Sequence, residues 1–328
     1  MPVTKRKEHP VPDTMRAAAI DRPGGPSVLK IRTMPVPRPG ESEILIAVES
    51  AGIGSWDADM REGWSPSGRP KYPLVLGTDG AGTVAEVGSR VRRFRPGDRV
   101  YGYSFDNSKG GFYAEYVVVE AGNAAPAPGN LDASEAGAMP ATGLTAIQGV
   151  DDALSLRKGE TVLVHGASGG VGSLAVQFAK WRGTRVLASA SGSKGAALAK
   201  RIGADAVVDG KRGDLAAAAR MFAPRGLDAI LAFAGGESLS SALDGLRRGG
   251  RVAWPNGVEP APRKRRGVKM TAYDAEPGPS EFERLNRAIE GSRLKVPIDR
   301  EYSLADAAAA HRRLAQGGVL GRIVLRVR

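Results

Sequence analysis

Apolar residues fall in short, turn-bounded runs up to about Asn130, and in a strand–helix rhythm after it. Glu43–Glu49 reads Glu-Ile-Leu-Ile-Ala-Val-Glu and predicts a strand. Arg16–Ile20, Val28–Pro35, Thr83–Val87, Arg99–Tyr103 and Tyr113–Val119 predict others. Gly24–Pro26, Pro35–Gly40, Gly88 and Pro96-Gly97-Asp98 punctuate them. Ala51–Gly63 holds a turn and a short helical piece. Many short strands with frequent turns suggest a small irregular barrel over residues 15–130.

From Leu131 the period changes. Ser134–Ala138 and Ala141–Leu154 predict helices. Strands then follow at 161–165, 184–188, 205–208, 227–233 and 250–254, with helices at 173–182, 194–202, 213–222 and 237–247 between them. This alternation predicts an α/β unit over 131–267, a doubly wound parallel sheet with helices on both faces. The remainder, 268–328, predicts a helix near Ser280–Glu290, a strand near Tyr302, a helix near Ala305–Ala315 and a strand at Gly321–Arg326. That piece is too short for its own core. It is expected to return to the first domain, leaving the α/β unit inserted and a cleft at the carboxyl ends of the parallel strands.

One stretch carries specific chemistry. Thr161–Gly172 runs Thr-Val-Leu-Val-His-Gly-Ala-Ser-Gly-Gly-Val-Gly, a β-branched strand, a turn of small residues, then a helix. Gly169 lets the backbone approach a pyrophosphate, and Gly172 lets the helix pack close to the strand. Ala167, Ser168, Gly170 and Val171 complete the turn, with the positive end of the helix facing the anion. The strict glycine pattern wants Gly where Ala167 stands. A strand before, a helix after and a second strand at βαβ spacing supply the required context.

Composition narrows the classes. The 328 residues contain no cysteine and three histidines, His9, His165 and His311. Disulfides, thiolate chemistry and cysteine zinc sites are excluded, and a multi-histidine metal site is disfavoured. No run approaches the roughly 20 apolar residues of a membrane span. Met1–Thr14 is polar, holds three prolines and reads as a disordered tail rather than a secretory signal. A cytoplasmic protein is the expectation. The formal net charge is +12. The one dense basic run, Arg263-Lys264-Arg265-Arg266, lacks interleaved aromatics and reads as a solvated loop rather than a nucleic-acid site.

Several blocks in fixed order carry a resemblance. They are Gly77-Thr78-Asp79-Gly80-Ala81-Gly82-Thr83-Val84-Ala85-Glu86-Val87-Gly88, Val91…Phe94…Gly97-Asp98-Arg99-Val100-Tyr101-Gly102, Gly111…Tyr113-Ala114-Glu115-Tyr116, Thr142-Gly143-Leu144-Thr145-Ala146, the turn Ala167–Gly172, and Gly321-Arg322-Ile323-Val324-Leu325. Together they resemble the medium-chain dehydrogenase/reductase superfamily, in its zinc-independent quinone oxidoreductase branch. The resemblance implies a Rossmann unit inserted in a GroES-like, mainly β catalytic domain. It also implies NADPH in the cleft and reduction of quinones or α,β-unsaturated carbonyls.

The resemblance is tested position by position. Zinc alcohol dehydrogenases carry a cysteine where this chain has Gly54, a His-Glu pair at Thr78-Asp79 and a further ligand near Ala138. None of these residues is a zinc ligand of that set, so no zinc is expected. NAD enzymes end the second Rossmann strand with an acid. Here Ala190 stands there, followed by Ser191, Gly192, Ser193 and Lys194, which suit a 2′-phosphate; alternatively, Lys194 simply opens an exposed helix. A tyrosine common after the third strand is replaced by Gly210, with Lys211 and Arg212 beyond. Thr142, Gly235, Gly236, Asn256 and Arg322 are expected at the nicotinamide end, Thr142 having a helix-capping role as its alternative.

Trp56, Asp57, Trp64, Tyr103, Phe105 and Trp254 are expected to line the substrate pocket, where flat rings suit a small planar substrate. Asp57 either supplies a proton, directly or through water, or braces the loop against Arg61. Thr142 is the other candidate catalytic group. His165 reads as core and His311 as surface. Relatives are often homodimers, and strand 250–254 is the expected pairing edge. The alternatives are an alcohol dehydrogenase-like reductase of small aldehydes, and a low-turnover NADPH-binding protein with nucleic-acid affinity through Arg263–Arg266.

Overall fold

A computed structural model describes residues 11–66, 68 and 70–328. The expected disordered tail falls mostly on residues 1–10, outside the described residues. Thr14 already belongs to the first strand, Thr14–Ile20. That strand pairs with Lys30–Pro35 and Leu74–Val75 in a three-stranded sheet.

Glu43–Ile53, at 11 residues, is the spine of the catalytic domain. It pairs antiparallel with Asp79–Val87, Tyr116–Glu120 and the closing strand Arg322–Arg326. Asp79–Val87 continues to Arg99–Tyr103, and that strand to Ala124–Pro126. Ile298–Ser303 adds at the outer edge, parallel to the closing strand. The tail therefore returns to the first domain. The spine carries Ile44, Leu45, Ile46 and Val48 fully buried, which is why it reads as an aliphatic run rather than a strict alternation.

The parallel sheet has six strands. In spatial order they are Ala206–Asp209, Arg185–Ala190, Thr161–His165, Leu227–Ala232, Leu246–Pro255 and Lys269–Tyr273. Thr161–His165 is the strand from which the order runs both ways, so the crevice at its carboxyl end is the dinucleotide position of this topology. Val162 and Val164 enter one core and Leu163 the other, as a strand buried on both faces requires.

Three expectations change here. A unit closing at residue 267 would miss Lys269–Tyr273, which is a full member of the sheet and pairs with Arg251–Pro255. For the same reason strand 250–254 is interior and Lys269–Tyr273 is the edge. The expected helix Ala141–Leu154 also stops early. Pro140–Gln148 is α-helical, and Gly149–Ala153 widens into a π turn. A Cβ at Gly149 would sit 2.3 Å from the Tyr273 hydroxyl, so the glycine admits that ring between the helix and the last strand.

Arg263–Arg266 is exposed, and Arg265 pairs with Asp244. The loop ends where Gly249 N–H donates to Gly267 O, at the amino end of the sheet and away from the crevice. No helix among the described residues is long and apolar enough to cross a membrane.

Candidate active site

At the end of Thr161–His165 the chain reverses through Gly166, whose φ of +84° is in the left-handed region. A Cβ at Gly172 would lie 2.2 Å from Gly166 O, so only glycine lets the helix pack this close. Helix Gly170–Trp181 has Gly169 as its N-cap and takes no side-chain cap. Its first-turn N–H groups have no partner within the helix. At Gly169 a Cβ would meet only Gly166 O, at 3.6 Å. This positive turn, open at Gly169, fits a pyrophosphate. Ala167 and Ser168 are buried beneath it, while Gly170 and Val171 are partly exposed.

The second strand ends at buried Ala190. Ser191 caps helix Gly192–Arg201 by position only, since its hydroxyl makes no capping bond. Ser193 and Lys194 are exposed in the first turn, and Lys194 has no ion-pair partner among the described residues. Lys211 and Arg212, also exposed, follow the end of the neighbouring strand. These hydroxyls and cations are uncommitted and fit an added phosphate. Asp209 pairs in register with Ala190, but its carboxylate already accepts from Lys211 N–H.

The nicotinamide-end residues are differently engaged. Thr142 Oγ1 donates to Ala138 O at 2.7 Å, so its proton is committed within the helix and it can only accept. Gly235 does not face open space. A Cβ there would sit 2.5 Å from Pro260 O, so the glycine seats the following loop rather than a ring edge. Gly236, at φ +97°, has nothing within 4 Å of its Cβ position. Asn256 Nδ2 donates to Asp274 Oδ2 at 2.7 Å, joining the carboxyl ends of the last two strands.

Between the domains lies a buried polar centre. Arg322 starts the closing strand beside the glycine turn, where Gly321 N–H donates to Ser168 O. Its side chain crosses Gly170, whose Cβ would lie 2.8 Å from Arg322 Cδ. It ends on Asp79, with Nη2 2.7 Å from Oδ1, and Asp79 Oδ2 accepts from Ala141 N–H. Arg322 is thus a tie between two domains rather than a free cation reaching for the cofactor. Burial raises the Asp79 pKa, and Arg322 opposes that rise.

Asp57 is fully buried in the third position of helix Ser55–Arg61. Its Oδ2 accepts from Gly54 N–H at 2.8 Å. Burial pushes its pKa up to about 7; the Gly54 bond, Arg322 and Tyr113 pull down, and Asp79 adds to the rise. The Tyr113 hydroxyl is near enough to act on Asp57, but its aligned contact is His311 Nε2, at 3.3 Å, and Asp57 Oδ1 has no aligned donor.

The brace from Asp57 to Arg61 does not form. Arg61 instead bonds Gly24 O, His311 Nδ1 at 2.8 Å, and Glu62. His311 is therefore buried between Arg61 and Tyr113, not on the surface; burial and then Arg61 push its pKa down to about 3. His165 is also buried, between Ser189 and Ser238, and burial takes it down to about 4.

Trp56, Tyr103 and Phe105 belong to one packed cluster, and Trp64 lies 5.7 Å from Phe105. Trp254 does not join them. Ala253 faces that cluster while Val252 and Trp254 face the opposite core, as strand alternation dictates.

The positions at which zinc alcohol dehydrogenases carry their ligands hold other chemistry here. Gly54 has no donor side chain, Thr78 Oγ1 accepts from the Trp56 indole, Asp79 is neutralised by Arg322, and Ala138 is apolar. This donor set does not fit zinc.

An open catalytic sheet, an inserted parallel sheet and a glycine cradle at its switch point define a two-domain nicotinamide oxidoreductase. Residues 40–129 match the alcohol dehydrogenase GroES-like domain, and 202–325 match a family described as zinc-binding dehydrogenase. The quinone oxidoreductase of Mus musculus is 32% identical over 95% of this chain and 97% of its own. A solved NAD-dependent alcohol dehydrogenase superposes with TM-score 0.87 at 32% identity, covering 96% of this chain and 100% of its own. A mycobacterial protein complexed with NADPH superposes with TM-score 0.83 at 30% identity, covering 95% and 100%. The chain belongs to the medium-chain dehydrogenase/reductase superfamily, in its quinone oxidoreductase branch.

Proposed function

We propose that this protein is a zinc-independent, NADPH-dependent reductase of quinones or α,β-unsaturated carbonyls. The observation that carries the cofactor choice is the end of the second strand. Ala190 offers no acid to a ribose diol, while Ser191, Ser193 and Lys194 stand exposed beside it. The relative complexed with NADPH supports this choice.

When bound, the nicotinamide supplies the hydride. The glycine cradle would hold the pyrophosphate, and Ser191, Ser193 and Lys194 the 2′-phosphate. Trp56, Tyr103 and Phe105 would exclude water around a planar acceptor. Reduction also consumes a proton, and Asp57 is a buried acid that holds one near neutral pH. An acceptor that is already electrophilic needs no metal to polarise it.

A second reading, reduction of small aldehydes, is favoured by the similarity to the NAD-dependent alcohol dehydrogenase. Thermal melts with each cofactor and a panel of quinones, enones and aldehydes separate the two. NADPH should raise the melting temperature more than NADH, and Lys194→Ala should weaken NADPH roughly tenfold without changing NADH. Equal responses to both cofactors, or turnover confined to aldehydes, would overturn the first reading.

A further inference from the structure

Trp56 is partly exposed yet held on three sides. Its indole N–H donates to Thr78 Oγ1 at 2.5 Å. The Arg322 guanidinium lies 5.3 Å from its ring centroid, within cation–π reach. Its ring also lies against Gly54, where a Cβ would fall 2.2 Å from the indole. Gly54 has φ −112° and ψ 166°, an extended conformation open to any residue. The backbone does not require glycine at this position; the indole does.

Each of the three holding groups is itself fixed. Gly54 N–H is bonded to Asp57. Thr78 is buried next to Asp79 at the start of a central strand. Arg322 is pinned at its far end by Asp79, and its backbone runs along the glycine turn. Asp79 in turn bonds Ala141 N–H, one residue from Thr142. The indole is thus a rigid surface beside the nicotinamide end of the crevice, and not a side chain free to swing aside. Its rotamer is selected before any acceptor arrives.

We propose that Trp56 is the specificity-determining wall of the acceptor site, admitting flat rings and rejecting acceptors with bulk out of the ring plane. The identity of the acceptor as a quinone or enone rests on the function proposed above; the wall itself rests on the clamp. Gly54, Thr78 and Arg322 are the positioning residues that keep the wall in place.

The test compares 1,4-benzoquinone with 2,6-di-tert-butyl-1,4-benzoquinone on the wild type, Trp56→Ala and Trp56→Phe. Binding of each quinone to the NADP+ complex is measured by equilibrium dialysis, where no turnover occurs, and kcat/KM is measured with NADPH. Trp56→Ala should move both ratios toward the bulky quinone by roughly tenfold or more, the scale of steric discrimination in an apolar site, and Trp56→Phe by less. Thr78→Val removes only the indole's acceptor and should shift the ratio in the same direction. A Trp56→Ala protein that folds, binds NADPH as before and leaves the binding ratio unchanged overturns the proposal. Should Trp56→Ala fail to fold, unchanged binding ratios in both Trp56→Phe and Thr78→Val overturn it. A wild type that reduces neither quinone, while the binding ratio still shifts, overturns the quinone reading and leaves the wall in place.

Discussion

Arg322 Nη2 and Asp79 Oδ1 lie 2.7 Å apart across 243 positions of sequence, and both side chains are almost completely buried. Removing one partner strands the other charge in a low-dielectric interior. Arg322→Met should therefore cost about 3–5 kcal/mol in urea unfolding, and the double variant Asp79→Asn/Arg322→Met should recover much of that loss. Strictly additive losses in the double variant would show that the pair is not coupled.

Glycines of the cradle should differ sharply. At Gly172 an added Cβ meets backbone at 2.2 Å, but at Gly169 it meets nothing closer than 3.6 Å. Gly172→Ala should lose about 1–3 kcal/mol without cofactor, as overpacking does, while Gly169→Ala should melt close to wild type. Similar melting temperatures for the two variants would contradict this packing.

His311 should make the fold acid-sensitive. Its pKa falls from 6.5 unfolded to about 3 folded, so the unfolded state binds the extra proton between those values. Stability is then full above about pH 6.5 and falls as pH drops toward 3, by about 2 kcal/mol at pH 5. His165, taken down to about 4, acts in the same direction. Unfolding at pH 7.5 and 5 should show a smaller loss in His311→Asn than in wild type.

Asp57 works the opposite way. Its pKa is about 7 folded against 3.8 unfolded, so its contribution is fully present below 3.8 and is lost as pH rises through 7. Asp57→Asn keeps an acceptor for Gly54 N–H and has no charge to bury. Relative to wild type its gain in stability should grow from under about 1 kcal/mol at pH 4 to on the order of 4 kcal/mol at pH 8. A gain that does not grow with pH would mean that Asp57 stays ionised in its buried position.

Much of this was legible from local pattern. The run Thr161–His165 followed by small residues and an apolar helix specifies its own strand, turn and helix, because strand propensity, positive φ and close helix packing are read within 12 positions. Ala190 and Gly54 were visible as departures at positions where neighbouring motifs set the register. Lys269–Tyr273 was not visible. Five residues behind a basic loop carry no signal of their own, and only pairing with the preceding strand makes them a strand.

The site itself was decided in three dimensions. Nothing near Arg322 in sequence announces Asp79, and nothing near His311 announces Arg61 and Tyr113; those partners meet only when the closing strand and tail helix pack on the first domain. Trp254 and Trp56 were both candidates for the pocket wall, yet strand alternation sends one to the far core while a glycine and a threonine clamp the other beside Arg322. The sequence by itself determined the strand–turn–helix units, since these depend on neighbours along the chain. The tertiary structure decided which charges are paired, which histidines are buried and which tryptophan is clamped beside the Arg322–Asp79 pair, since each depends on groups that only folding brings together.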